Sequence, residues 1–177
     1  NKKYVDDVAQ GLDVKASVHV ATTAALPACT YNNGSSGVGA TLTADANGAL
    51  TIDSHAVNAG EYVLVKNQVA GLQNGLYTVT SAGAVDAPFI LTRRGDADTG
   101  TELSSGSFVF VEQGTTNGST GWVVSTSGSI TIGTTAITFT QFSSAGIADA
   151  GDGLQKTGTT FSVKTASSSR IAVSSGG

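Results

Sequence analysis

The sequence holds few side chains of the types that catalyse reactions or bind metal ions. Its only histidines are His19 and His55, and Cys29 is its only cysteine. A zinc site needs three or four converging ligands at recognisable spacing, which these residues do not supply. A single cysteine forms no disulfide within one chain. We therefore predict no metal site and expect Cys29 to be a small, partly buried side chain.

The acidic residues permit two kinds of hydrolytic chemistry to be considered. A Ser-His-Asp triad assembles in space, so chain spacing does not exclude it, but no Gly-x-Ser-x-Gly motif is present. Glycoside hydrolysis requires two acids facing each other across a groove, and Glu61, Glu102 and Glu112 are the only glutamates. We predict no catalytic residue and no cofactor, and we predict that the protein is not an enzyme.

Asp96 and Asp98 lie in the run RRGDADTGTE (93–102), which begins like a calcium-binding loop. The similarity stops early, because the distant glutamate of such loops does not follow. We expect these acids to form a turn that pairs with Arg93 or Arg94. Exposed pairs of this kind contribute about 0–1 kcal/mol to stability.

Aromatic and amide side chains offer a different chemistry, the recognition of sugars. The polar stretch 26–48 interrupts the strand pattern, and we expect it to be a long surface excursion with a small hairpin around 41–43. Tyr31, Asn32 and Asn33 lie within it. An exposed tyrosine ring can stack on a sugar, and amides can bind its hydroxyls. We therefore predict glycan contacts at these three residues.

The elements that must hold these side chains are strands. Gly accounts for 23 of the 177 residues and charged residues for only 12%, which argues against a helix-rich protein. Asn74-Gly75 is a strong hairpin signal. Eight segments are predicted to be strands: 17–22, 60–66, 76–81, 88–94, 107–113, 121–126, 129–132 and 136–142. Their spacing predicts an all-β fold, an antiparallel β-sandwich or barrel-like domain.

Two of these strands carry apolar side chains on both faces. In 107–113, Phe108 and Phe110 alternate with valines, and 60–66 shows the same pattern. Such strands are covered on both sides, either by the rest of the domain or by a partner chain. The single tryptophan, Trp122, is expected in the core.

The N-terminal residues differ from the strand-rich part. Val5, Val8 and Leu12 are spaced by three and four residues, which predicts a short helix within 1–16 that ends near Gly11. About ten residues do not hold a helix alone in water. The apolar stripe must therefore pack on its own domain or on copies of itself.

The C-terminal residues, 145–177, form a Gly- and Ser-rich segment with two weak strands, Thr160–Lys164 and Arg170–Ser174. Neither strand has enough apolar area to fold alone, so we expect an extended, weakly stranded shaft or a linker. The chain thus divides into a helical segment, 1–16, a β-sandwich module, 17–144, and this last segment.

Charge and hydropathy exclude two classes of partner. The net charge of −4 and the pI near 4.9 argue against nucleic-acid binding, which needs a basic face. No apolar run approaches the roughly 20 residues that span a bilayer, so we expect no membrane insertion. Residues 1–15 lack the apolar core of a signal peptide.

Six runs follow one another in a fixed order: YVDDVAQGLDVKASVHVATTAALP (4–27), AGEYVLVKNQ (59–68), NGLYTVT (74–80), LTRRGDADT (91–99), GSFVFVEQGTTNGSTGWVVST (106–126) and TIGTTAITFTQFS (131–143). Together they resemble a module of tail-fibre and baseplate proteins of tailed bacteriophages and prophages. The run AGDGLQKTGTTFSVKTASSSRIAVS (150–174) resembles the linker and shaft sequences that often follow that module. His19 and Asn67 stand where Arg and Asp are more usual in the module.

The resemblance implies a virion component at the host-facing end of a phage tail, structural in role and assembled as a homotrimer. Residues 1–16 would then be a trimerisation segment, with Val5, Val8 and Leu12 as the oligomer interface. Its partners would be other tail or baseplate proteins and a glycan or protein of the bacterial surface. Two alternatives stay open: a carbohydrate-binding module of a bacterial adhesin or secreted enzyme, and an envelope-degrading depolymerase.

Overall fold

The computed structural model of the protein describes residues 13–144 and the strand residues 154–157 and 160–163. These residues form an all-β structure, which confirms the fold class predicted from composition and alternation. The chain divides into two compact units, Asn1–Ser144 and Ala145–Gly177. In the part that is described, no helix has the length and apolar character needed to cross a membrane.

The described part of the first unit contains strands β1 to β11 and a 3-10 helix, Gly71–Gln73. The strands are Val20–Ala21, Cys29–Asn32, Thr41–Ala44, Thr51–Ile52, His55–Ala56, Tyr62–Val65, Gly75–Ala84, Ala87–Arg93, Phe108–Val111, Thr120–Val124 and Phe139–Ser144. One sheet has the order β1-β6-β7-β8-β3-β2, a second has the order β11-β10-β9, and β4 pairs with β5. Among these described strands, β1 and β6 pair in parallel and the other pairs are antiparallel.

Residues 13–22, which we call the crossing segment, connect the two larger sheets. The first half runs beside β9, where the backbone N–H of Val18 donates to the carbonyl of Phe110 (2.9 Å). At His19 the chain changes partner, and the His19 N–H donates to the carbonyl of Tyr62 in β6 (2.8 Å). The same stretch of backbone therefore belongs to the small sheet at one end and to the large sheet at the other.

Two apolar clusters fill the spaces on either side of the large sheet. β6 contributes to both, because Val63 and Val65 point to one side and Leu64 to the other, and all three are fully buried. This confirms the predicted cover on both faces for residues 63–65, whereas Tyr62 at the start of the strand is 38% exposed.

The cluster between the two larger sheets, the inter-sheet core, comprises Val18, Ala21, Leu64, Leu76, Ala97, Leu103, Val109, Val111, Val124, Ile130, Ile132 and Ile137. The cluster beneath the β4–β5 hairpin, the hairpin core, comprises Val20, Leu42, Ala44, Leu50, Ile52, Val57, Val63, Val65, Tyr77, Val79, Phe89 and Leu91. Trp122 is half-buried against the inter-sheet core.

The predicted N-terminal helix is not seen. Residues 1–12 lie outside the described residues, and 13–16 are extended. Val14 forms a parallel bridge with Phe108. The helix was predicted to end near Gly11, so its residues are among those that are not described. At 13–16, pairing with the free edge of β9 supplies backbone partners for the extended chain.

The stretch 26–48 belongs to the large sheet and is not a surface excursion. β2 and β3 form an antiparallel hairpin, and β3 also pairs with β8. Leu42 and Ala44 are buried in the hairpin core and alternate with threonines. The prediction of a surface excursion failed because the short alternation of apolar and polar residues is a weak strand signal. The Gly- and Asn-rich turn between the two strands is a stronger signal for a loop.

The predicted strand 129–132 is irregular. Ile130 and Ile132 are buried in the inter-sheet core, but the backbone turns, and the N–H of Thr135 donates to the carbonyl of Thr131 (2.8 Å). Two apolar residues at alternate positions anchor a loop as well as they anchor a strand, so the pattern could not separate the two.

Asn74 and Gly75 do not form the two-residue hairpin turn predicted for them. β6 and β7 are antiparallel neighbours, but residues 66–74 connect them. The buried Asn74 side chain accepts the N–H of Gln68 (2.9 Å) and donates to the carbonyl of Ile137 (2.9 Å). Asn74 therefore fixes a longer loop against the chain that leads into β11.

In the second unit, β12 (Leu154–Thr157) pairs antiparallel with β13 (Thr160–Val163). β13 begins where a strand was predicted, whereas β12 was not predicted. The other predicted strand, Arg170–Ser174, lies outside the described residues.

Leu64→Ala is expected to lower the free energy of unfolding by about 3 kcal/mol, because it opens a cavity in the inter-sheet core. Val69→Ala, at a residue 98% exposed, should change it by less than about 0.5 kcal/mol. Urea denaturation of the two variants beside the wild type measures both values. Equal effects at the two positions would contradict the assignment of the core.

Candidate functional site

The histidines and the cysteine make structural contacts. His19 accepts a backbone N–H through Nδ1 (3.3 Å), and Gln68 Nε2 lies 3.7 Å from Cys29 Sγ. His55 Nε2 lies 2.9 Å from a carboxylate oxygen of Glu61. Across the residues that the structure describes, no three or more His, Cys, Asp or Glu side chains are grouped to hold a metal ion.

The acids of 93–102 form two separate pairs. Arg94 donates through Nε and Nη2 to the two carboxylate oxygens of Asp96 (3.0 and 2.6 Å), the turn pairing expected from the sequence. Burial raises the pKa of Asp98, and its hydrogen bond with Glu102 raises it further. Hydrogen bonds from Thr99 and Asp98 lower the pKa of Glu102. As the pH falls, Asp98 is therefore expected to take up a proton before Glu102, and Glu102 caps the local turn through Thr99.

The predicted glycan contacts, Tyr31, Asn32 and Asn33, do not share one surface. Tyr31 is half-buried against the hairpin core, and its hydroxyl donates to Oδ1 of Asn33 (2.7 Å). Asn32 is exposed and points to the opposite face of the sheet, because successive strand residues alternate. Its Oδ1 accepts the N–H of Gly34 (2.9 Å).

Asn32 begins a row of polar side chains that crosses five strands of the large sheet. The register pairs Asn32 with Thr41, Thr41 with Thr92, Thr92 with Thr78, and Thr78 with Tyr62. Residues directly opposite each other point to the same face. Since neighbouring strands lie about 4.8 Å apart, the row is about 19 Å long. We call these five residues, of which all but Asn32 carry a hydroxyl group, the hydroxyl row.

The hydroxyl row lies on the sheet face that also carries the inter-sheet core. Tyr62 and Thr78 stand two residues from Leu64 and Leu76, so the four side chains share that face. Leu64 and Leu76 are buried, whereas Thr78 is half-buried and Tyr62 is 38% exposed. The three-stranded sheet therefore covers one part of the face and leaves the polar part open.

At its Tyr62 end the row enters a groove of about 300 Å³, which we call the Tyr62 groove. The guanidinium carbon of Arg94 lies 4.3 Å from the centre of the Tyr62 ring. Nη1 of Arg94 donates to the carbonyl of Ala16 in the crossing segment (2.9 Å). The ring, the Asp96 carboxylate and this carbonyl together hold Arg94 in one position. The groove is lined by Ala16, Tyr62, Thr78, Arg94, Gly95 and Asp96.

The small sheet presents an apolar surface on the side away from the inter-sheet core. We call Val14, Phe108, Phe110, Val123 and Phe142 the outer aromatic face. The rings of Phe108 and Phe142 pack edge to face with centroids 4.6 Å apart. Val14 is 64% exposed, Phe110 40% and Phe142 57%. The sequence analysis considered two covers for 107–113, the rest of the domain and a partner chain. On this face, residues 13–144 of the domain supply none.

The predicted oligomer-interface residues, Val5, Val8 and Leu12, lie outside the described residues. The described chain starts at Asp13, whose carbonyl accepts an N–H from β9 (2.7 Å). The first unit ends at Ser144, the last residue of β11. Both ends of the range 13–144 therefore lie at the sheet that carries the outer aromatic face.

Sequence analysis missed the Tyr62 groove because it assigned Tyr62 to a covered strand and Asp96 to an acidic turn. One signal was present. The runs TLT (41–43) and TVT (78–80) place threonines at alternate positions around an apolar residue, which marks a polar sheet face.

No family model, curated protein or solved structure matches this chain. The functional argument therefore depends on the surfaces described above and on the residue pattern of the sequence.

Glu61, which lies beside His55, is held by several hydrogen bonds within its turn. Burial raises the pKa of Glu61, but hydrogen bonds from Asn58 and His55 outweigh it and lower that pKa to about 2. The Asn58 backbone N–H and side-chain amide donate to its two carboxylate oxygens (3.1 and 3.0 Å). Glu61 is thus a turn-stabilising carboxylate that stays ionised.

A carboxylate whose pKa is lowered in the folded state stabilises the protein above its ordinary pKa, near 4.5, and loses that contribution as the pH falls towards 2. Wild-type protein should therefore lose more unfolding free energy than Glu61→Gln between pH 4.5 and pH 2. Carbon-detected NMR titration of the Glu61 carboxylate should give a midpoint near 2. A midpoint near 4.5 would contradict the hydrogen-bonding arrangement.

Proposed function

We propose that the protein is a structural, host-facing module of a phage tail fibre or receptor-binding protein, which acts as a homotrimer and contributes to attachment to the bacterial surface. Its place is the virion tail, and its partners are other tail or baseplate proteins and a cell-surface glycan or protein. The role requires no catalytic residue and no cofactor. The ordered runs that resemble tail-fibre modules support this proposal.

The outer aromatic face is the observation that carries the proposal. A buried aromatic side chain removes about 200 Å² from water, so the exposed parts of Phe110 and Phe142 represent about 200 Å² together. A specific interface buries about 800 Å² on each partner. The face is large enough to be part of such an interface, and the segments that leave from its sheet would supply the remaining area.

The finer architecture fits the same role. A β-sandwich-like body would hold the chains in register, a helix formed by 1–12 would join three copies through Val5, Val8 and Leu12, and 145–177 would continue as a shaft. Hydrophobic association of three copies stabilises ends that are too short to fold alone.

A carbohydrate-binding module is the second candidate function. The hydroxyl row and the Tyr62 groove favour it, because they combine an exposed aromatic ring with hydroxyl and carboxylate groups. A carbohydrate-binding module can act as a monomer, whereas the tail-fibre module is proposed to act as a trimer. A measurement of molecular mass distinguishes the two candidates.

Light scattering after gel filtration tests the assembly. At micromolar concentration the full chain should have about three times the 17.6 kDa mass of one chain. The double variant Phe110→Ser/Phe142→Ser removes burial worth about 5 kcal/mol per chain, so it should be monomeric. Val85→Ser, at a residue 94% exposed in the β7–β8 turn, is the control and should leave the mass unchanged. A monomeric wild type would contradict the trimer, and a trimeric double variant would exclude the face.

Immunogold labelling tests the location. Antibodies against this chain should mark the tail end opposite the capsid on phage particles that carry its gene. Gold particles on the capsid alone would contradict a host-facing position. So would the absence of gold on intact phage particles when dissociated particles are labelled.

A further inference from the structure

We propose that the Tyr62 groove and the hydroxyl row together form a binding site for a neutral saccharide chain, with the terminal sugar ring against Tyr62. The inference rests on the proposed function in one respect: the role in attachment identifies the bacterial surface as the source of the saccharide. The site itself is argued from the side chains that the fold brings together.

Tyr62 offers a pre-positioned ring. Arg94 lies over it at 4.3 Å and is itself fixed by Asp96 and by the carbonyl of Ala16. The ring is still 38% exposed, so apolar surface remains for the C–H face of a sugar. Because Arg94 already restricts the ring, binding costs little side-chain entropy.

Asp96 supplies hydrogen-bond acceptors beside that ring. Its side chain is 45% exposed, and each of its two carboxylate oxygens receives one bond from Arg94. A carboxylate has about four acceptor positions, so at least one per oxygen is left for ligand hydroxyls. Two adjacent oxygens suit two neighbouring hydroxyls of a sugar ring.

The hydroxyl row continues the site away from the groove. Among the described residues, the hydroxyls of Thr41 and Thr78 have no protein partner, and those of Thr80 and Thr92 bond to each other (2.5 Å) while keeping acceptor lone pairs. Hydroxyls repeat at the strand spacing of about 4.8 Å. The row is longer than a single sugar ring, so it suits an extended chain of sugars.

The charges of the groove favour a neutral ligand. Arg94 and Asp96 offset each other, and the Arg94 nitrogens Nε, Nη1 and Nη2 all donate within the protein. These bonds use three of the five Arg94 N–H groups, and the Arg94 side chain is only 5% exposed. A uronic acid or sialic acid would therefore bring its carboxylate near that of Asp96 with little access to the guanidinium. Neutral hexose oligomers avoid this repulsion.

NMR on the full chain tests the site directly. Maltohexaose and cellohexaose, each at millimolar concentration, are the neutral probes, and hexagalacturonate is the acidic one. At least one neutral probe should shift the backbone amide signals of Tyr62, Thr78 and Thr92 and leave those of Asp53 and Ser54, in the β4–β5 turn, unchanged. Hexagalacturonate should bind more weakly.

Variants provide the quantitative part. Tyr62→Ala and Asp96→Asn should each weaken binding of the neutral probe by about tenfold. The matched controls Asp86→Asn and Thr51→Val, at exposed residues on other surfaces, should leave it unchanged. Circular dichroism checks that each variant is folded. If Tyr62→Ala or Asp96→Asn does not fold, the amide shifts of the wild-type protein alone decide whether the saccharide binds at this site.

Three results would overturn the inference: no shift with either neutral probe, shifts confined to other surfaces, or tighter binding of hexagalacturonate. The mass measurement separates this inference from the proposed function. A trimer that binds no saccharide contradicts only the site, whereas a monomer that binds one contradicts only the trimeric assembly.

Discussion

The change of partner within the crossing segment is the constraint on which the other features depend. Up to Val18 the backbone is paired with β9, and from His19 it is paired with β6. Side chains alternate along the same stretch, so Val18 enters the inter-sheet core and Val20 enters the hairpin core. The two sheets are thus joined by backbone hydrogen bonds as well as by apolar packing. Val14 and Ala16 of this segment reach the outer aromatic face and the Tyr62 groove, respectively.

The unequal width of the sheets explains why a polar surface lies next to an apolar core. Three strands cannot cover six, so part of one face of the large sheet stays open to solvent. Residues under the small sheet, such as Leu64 and Leu76, are apolar, while those beyond it on the same strands, such as Tyr62 and Thr78, carry hydroxyls. The boundary between the apolar core and the polar surface therefore follows from the difference in sheet size.

Alternation and composition were sufficient to predict the fold class and most strands of the first unit, because burial on one or both faces leaves a period of two in the sequence. They failed where backbone pairing or loop packing decided the outcome. β2 and β3 pair within the stretch 26–48, which was predicted to be a surface excursion, and Ile130 and Ile132 fill the core from a loop. The Tyr62 groove depends on contacts between β6, the crossing segment and the turn after β8, and no local pattern encodes those contacts.

The two proposed interactions use surfaces that do not compete. Phe108 and Phe110 point away from the inter-sheet core, while the hydroxyl row lies on the face of the large sheet that is turned towards that core. Association through the outer aromatic face would leave the row open on every copy. In the proposed trimer, three weak saccharide sites would act at high effective concentration, which would raise overall avidity well above the affinity of a single groove. A shallow, polar site of modest affinity is thus adequate for attachment when the fold presents several copies together.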